Sequence, residues 1–420
     1  MLHGTMDAQS RPALRPLETI VVPDPEHGRV VVLRDTQGIA PGHAVLPGPL
    51  VAVVGRFTGR LTCAQIADEA SEQLGGEVPV EAVVRLAEEL ERGLFLEGDR
   101  FREARRGALQ TFADATVRPA THAGGAYHGD RAKLAGYISE ACLGKVAAAP
   151  ATNGRPLVAL VAPHIDPWRG AVGYGHAYGA LQAAVAAEAD TFVLLGTSHA
   201  PMREPFALCR KDFETPLGLV EADRDAIDAL AAAADGFDPY ADQFNHKREH
   251  SIEFQAVFLR HVLGERRARP ARIVPILAGL GSHQSSGQDP SRDARVARFV
   301  DAVRRLFDER PGRVVLVAGA DMAHVGPRFG DETPYDAGRR QQLEGRDRDS
   351  LERASQVDAP GFWAHVTSDQ DERRVCGLAP IWTLLRALPD GVNGRLLHYE
   401  QTIDRDDGSI VSHAGLAFYG

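Results

Sequence analysis

Residues 118–420 predict an α/β fold, a mostly parallel sheet covered by helices on both faces, preceded by a small α+β winged-helix-like domain. Three observations carry this. Short, wholly apolar runs recur at Leu157–Ala162, Thr191–Leu195, Arg272–Leu277 and Val314–Ala318. Helical patterns separate them, among them Tyr174–Glu188, Arg224–Ala234, Ser251–Leu263 and Ala294–Asp308. Strands apolar on both faces belong to buried parallel sheets. The first hundred residues have a different texture, and a length of 420 residues favours two domains.

The elements follow in order. Residues 1–17 are polar and contain proline, and read as a loose tail. Residues 18–101 form the first domain. Glu18–Pro23 and Arg29–Arg34 read as a hairpin around the acidic turn Asp24–Gly28. Three helical patterns come next: Pro49–Phe57, Thr62–Leu74 with Thr62 as N-cap, and Pro79–Gly93 with proline in its first turn. Leu94–Phe101 reads as a closing strand, and residues 102–117 as a linker. In the second domain, Gly281–Pro290 reads as an exposed loop.

Composition excludes several classes. A formal net charge of −10 opposes nonspecific nucleic-acid binding, and the would-be recognition helix carries EELER, not a basic face. No apolar run is long enough to span a membrane, and the first residues lack the apolar stretch of a signal peptide. Cys63, Cys142, Cys209 and Cys376 are widely spaced, so a reducing cytoplasm is expected.

Chemistry gathers where strands end. His164 follows Leu157–Ala162, His199 follows Thr191–Leu195, and Asp321 with His324 follows Val314–Ala318. Parallel strands would bring these imidazoles to one sheet edge, as a metal or general-base site needs. His324 with Asp321 offers a proton shuttle or a further ligand. His250 and Glu253, three apart, share a helix face or simply form a solvated helix start. Cys376 precedes a helix beginning near Pro380. There the dipole favours thiolate; the alternative is a small buried hydrophobe. Imidazoles plus a thiolate suit zinc, copper or ferrous iron better than magnesium or calcium.

The segments HAGGAYHGDRAKL (122–134), APHIDPWRGAVGYGHAY (162–178), LLGTSHAP (194–201), FETPLG (213–218), EHSIEFQ (249–255), PILAG (275–279), GADMAHVGPRFG (319–330), CGLAPIWTLL (376–385) and SHAGLAFYG (412–420) together resemble the Memo family, component B of AmmeMemoRadiSam gene groups. The resemblance implies a fold like that of LigB-type class III extradiol dioxygenases. It implies iron or copper held by His164, His199 and Cys376, with His324 and Asp321 as catalytic groups and His250 and Glu253 lining the pocket. Many members carry Gly-Tyr just after the first histidine, whereas this chain has Ile165-Asp166-Pro167-Trp168. Asp166 either adds a pocket carboxylate or caps a turn. Residues 18–101 resemble PqqD-like peptide-recognition modules, or form a generic helix-turn-helix scaffold. The implied partners are radical S-adenosylmethionine and AMMECR-type proteins, and a peptide for the first module. The implied function is a metal-dependent redox protein. The alternatives are a non-catalytic binding module, or a thiol enzyme using Cys376 with His324.

Overall fold

The run LVALVA at 157–162 has no polar residue to turn toward water, so both its faces must be covered. In the computed structural model, which describes residues 6–147, 154–264 and 270–420, it is a central strand with helices above and below. The chain divides into two units, Met1–Asp114 and Ala115–Gly420.

Unit 1 contains β1 (Glu18–Asp24), β2 (Gly28–Arg34), β3 (Ala44–Pro47), α1 (Gly48–Val54), α2 (Cys63–Leu74), α3 (Val80–Arg92) and α4 (Asp99–Asp114). β1 and β2 form the expected hairpin, and β3 extends it. Thr62 accepts from the Gln65 amide while Gln65 returns a bond to the Thr62 amide, a reciprocal cap that starts α2. Ile66, Ala70, Val83, Ala87 and Leu90 pack into this unit's own core.

Three expectations are corrected here. Leu94 takes a left-handed φ of 64°, and Leu96 makes a single bridge to Leu14 in place of a closing strand. The stretch read as a linker is helical as far as Asp114. Its Ala, Arg, Glu, Leu and Gln favour helix, and Phe101 and Phe112 give it an apolar contact. The tail is tied down from at least Leu14: its amide bonds the Phe57 carbonyl at 2.7 Å, and Arg15 is buried against Asp35 at 3.0 Å. Residues 1–5 of that tail lie outside the described residues.

Unit 2 opens with β4 (Val117–Arg118), α5 (Arg131–Tyr137), β5 (Leu157–Ala162), α6 (Ala171–Ala184) and β6 (Thr191–Thr197). It continues through β7 (Phe206–Leu208), β8 (Asp212–Phe213), β9 (Glu221–Ala222), α7 (Arg224–Ala233), α8 (His250–Leu263) and β10 (Arg272–Ala278). Then come α9 (Gly281–Ser286), α10 (Ala294–Glu309), β11 (Val314–Gly319), β12 (Asp321–Val325), α11 (Ala337–Ser355), α12 (Ala359–Thr367), α13 (Leu378–Ala387), β13 (Asn393–Ile403) and β14 (Ile410–Tyr419). The stretch 281–290, expected to be a loop, thus holds the short helix α9.

The sheet order is β12-β14-β5-β11-β6-β10-β7, with β13 also on β14 and β9 on β10. β5, β11, β6 and β10 are mutually parallel, while β14, β12, β13 and β7 add antiparallel edges. Register places the site. Gly319 of β11 sits beside both Ala162 of β5 and Gly196 of β6, so these three strands end level. α8 then comes down on that edge at very short range. A Cβ on Gly196 would lie 2.6 Å from Ile252, and one on Gly319 would lie 2.1 Å from the Ser251 carbonyl oxygen.

Candidate metal centre

Three imidazoles meet at this edge. His164 comes from the loop after β5, His199 from the loop after β6, and His250 from the first turn of α8. One ligand nitrogen from each lies within 4.8 Å of the other two. Ring centroids are 5.2 Å apart for His164–His199, 5.3 Å for His164–His250 and 4.6 Å for His199–His250.

The far side of two rings is fixed. His164 Nδ1 is 2.9 Å from the Gly319 carbonyl and donates to it, which leaves Nε2 with its lone pair. His199 Nδ1 is 3.0 Å from Glu249, which also accepts the His199 amide at 2.9 Å. Glu249 bonds the Ser251 amide at 2.9 Å as the cap of α8 and lies 3.5 Å from His250 Nδ1. One buried carboxylate therefore orients two imidazoles and starts the helix that carries one of them. Burial alone would raise the pKa of Glu249, but His199 and His250 hold it well below the carboxylate range. Burial, helped by the neighbouring rings, depresses His164, and His250 well below the usual range. Both stay neutral near pH 7, the form that binds a metal.

Cys376 approaches from the opposite wall. Its sulfur is 3.1 Å from His164 Nε2 and its carbonyl accepts from Thr197 at 2.9 Å. The segment that delivers it is strained: Gln370, Asp371 and Arg374 have φ of 61°, 54° and 52°, left-handed values costly for residues with a Cβ. Asp371 pins this segment through the Val375 amide at 2.9 Å, and Arg373 through a buried ion pair with Asp347 at 2.7 Å. The expected dipole-lowered thiol is not found. Burial pushes Cys376 well above the usual thiol value, and Asp321 and Glu249 push the same way. The sulfur is a protonated donor to His164.

The other expected residues are placed as follows. Asp321 accepts the His164 amide at 2.9 Å and lies 3.7 Å from His164 Nε2, so it braces His164. His324 is not on a loop after β11 but on the antiparallel strand β12. Its Nδ1 is 3.3 Å from the Met322 carbonyl, its ring stands edge-on to Phe329, and burial lowers its pKa to about 4. Convergence of His164, His199 and His324 was expected; His250 completes the close cluster with His164 and His199 because α8 lands on the sheet edge, while His324 stays near enough for Asp321, His164 and His199 to act on its charge. Glu253 is fully buried on the next turn and pairs with Arg118, His122 at 2.9 Å and the Tyr127 hydroxyl. The His122 ring lies 5.7 Å from that of His250, so this network backs the site without lining it through Glu253. Asp166 caps its own turn through the Arg169 amide at 3.1 Å and pairs with the Arg169 side chain at 2.5 Å, the second of the two roles expected of it.

Sequence reasoning missed Glu249 and Arg118. The pair Glu249-His250 at a helix start was a usable signal for Glu249. Arg118, isolated in sequence, gave none.

The donor set fits iron or copper: three clustered imidazoles, two of them with fixed outer partners, and a thiol against one of them. Residues 118–417 match the family model described as Memo-like protein. A MEMO1 family protein of Aquifex aeolicus is 26% identical over 395 residues, 94% of this chain and 97% of that one, which only a match through both units can reach. A MEMO1 family protein of Methanosarcina acetivorans is 28% identical over 269 residues, 62% of this chain and 86% of its own. An uncharacterized protein JW3007 of Escherichia coli K12, of known structure, overlays with a TM-score of 0.33 at 13% identity, covering 63% of this chain and 100% of that one, too loose to inform the fold.

Proposed function

This chain belongs to the Memo-like family, and from that premise we propose that it is a metal-dependent redox protein holding iron or copper between His164, His199 and His250, with Cys376 as the adjoining sulfur donor. The observation that carries this is the three-imidazole cluster within 4.8 Å. A bound iron or copper ion would supply one-electron exchange, which no side chain here provides. The protein's part is to hold the donors ready. Gly319 and Glu249 fix His164 and His199, and the strained segment before Cys376 presents the sulfur. Asp321 accepts the His164 amide and so braces the imidazole against which the Cys376 sulfur rests.

The test is anaerobic loading with ferrous or cuprous ion, followed by elemental analysis and voltammetry. The expected result is one ion per chain with a reversible couple. His199→Ala and His250→Ala should each lose most of the ion. A wild-type chain that retains neither ion overturns the metal reading. A loaded chain that cannot be cycled overturns the redox reading.

A thiol nucleophile at Cys376 with His324 as base has less support, because the imidazole at the sulfur is His164 and the thiol is held protonated. Unit 1 we assign to binding a peptide or a partner of the radical S-adenosylmethionine class. Its support is β1, which pairs with β2 on one side and buries none of its residues, leaving an edge for strand addition. Titration of unit 1 with the protein products of neighbouring genes tests this; no binding in any titration refutes it.

A further inference from the structure

Unit 2 buries a polar cluster that shares no residue with the three-imidazole site. Asp347 of α11 is fully buried, and its carboxylate takes three donors. One oxygen accepts from Arg373 Nη1 at 2.7 Å. The other accepts from the Ser412 hydroxyl of β14 at 2.6 Å and from the Tyr399 hydroxyl of β13 at 2.9 Å. Ser412 Oγ in turn accepts the Ala323 amide of β12 at 2.9 Å. A helix carboxylate gripped from two strands and a loop has no freedom to swing aside, and a buried network bonded in this way makes its surroundings rigid.

Arg373 receives this grip three residues before Cys376. It too is buried, its Nη2 donates to the Ser350 hydroxyl at 3.0 Å, and its carbonyl accepts the His324 amide at 2.8 Å. Its Nε has no hydrogen-bond partner among the described residues, so Asp347 and Ser350, one turn apart on α11, set the direction of the guanidinium. The chain is held on the far side of Cys376 as well. The Cys376 carbonyl accepts from Thr197, and the Gly377 amide donates to the Asp321 carbonyl at 3.0 Å. Between the two anchors stands Arg374 in its left-handed conformation. Such a conformation persists only while its surroundings enforce it. Release of the first anchor lets Arg374 relax, and the sulfur, now 3.1 Å from His164 Nε2, moves with it. A buried ion pair stabilises a fold no better than well-packed apolar side chains. What this one adds is a fixed place for the backbone that leads to Cys376.

We propose that Asp347 is a positioning residue for Cys376: acting through Arg373, it sets how near the sulfur stands to His164 and to an ion held there. The proposal rests on the metal reading for the use made of the sulfur. The placement itself is a property of the metal-free chain and is measured there.

Two measurements on the full chain test this. Metal-free protein is treated with iodoacetamide, and alkylation of Cys376 and of Cys209 is followed by mass spectrometry. Cys209 is buried, so its rate gauges the opening of the whole unit. Asp347→Asn should raise the rate at Cys376, relative to that at Cys209, by roughly tenfold, the scale of one lost charge-assisted hydrogen bond. Tyr399→Phe removes one donor, keeps the ion pair and should raise the ratio less. A ratio unchanged in both variants, even with both thiols quickened alike, makes the cluster structural only and overturns the proposal. If Asp347→Asn does not fold, the ratio in Tyr399→Phe decides alone. In the second measurement cobaltous ion serves as a spectroscopic probe. The wild type should show a sulfur-to-metal charge-transfer band that weakens in Asp347→Asn; a band of wild-type strength in that variant overturns the proposal. If the wild type shows no such band, the sulfur-donor reading falls, and the alkylation ratio still decides the placement.

Discussion

Glu249 shows how much one side chain can determine. It caps α8, holds His199 by two contacts and faces His250. Glu249→Gln should weaken ferrous-ion binding by roughly tenfold to a hundredfold, the usual effect of removing such an outer partner, as measured by chelator competition. Glu253 has a different duty. It neutralises Arg118, and both are fully buried. Glu253→Gln should cost about 3 kcal/mol at pH 7 in urea unfolding. Burial opposes its ionisation, but Arg118 and His122 hold its pKa far below the ordinary carboxylate value. Its contribution is therefore complete above about pH 4.3 and fades as pH falls further, so the gap between variant and wild type should narrow in acid. His246 runs the other way in charge. Burial lowers it to about 4, so the folded chain keeps it neutral while the unfolded chain takes up a proton. Wild-type, metal-free protein should lose stability progressively from about pH 6.5 down through about 4, and His246→Asn should flatten part of that slope. His164 and His199 were legible in the sequence because each follows an unmistakable buried strand. His250 was legible only as a pocket neighbour, since its place depends on where a helix lands in space.

At the level of elements, the closeness of α8 to the sheet edge makes the site. Gly319 and Gly196 permit it, since a Cβ at either position would collide with Ser251 or Ile252. Gly319→Ala should destabilise by about 2 kcal/mol and reduce ion content, because α8 must retreat and take His250 with it; urea unfolding and elemental analysis read the two effects. The apolar strands were readable to within a residue or two, and β5 was read at its full extent, since nothing but burial suits such runs. The antiparallel pair β13 and β14 was not foreseen. Polar residues such as His398, Glu400, Ser412 and His413 interrupt its apolar pattern. α4 escaped notice because a helix with few apolar residues resembles a linker in composition.

For the molecule as a whole, two separate cores mean two separable stabilities. Residues 115–420 produced alone should bind as much ferrous ion as the full chain, judged by elemental analysis; a start beyond Arg118 should fail, because Glu253 would be buried without its cation. The left-handed residues before Cys376 add a further consequence. Each costs the fold about 1 kcal/mol, which glycine at 370 would recover. Laboratory selection for heat resistance alone should therefore favour Gln370→Gly, and its winners should grip the ion less well. Endurance and function pull this short stretch in opposite directions, and the residue found there records which of them natural selection has favoured.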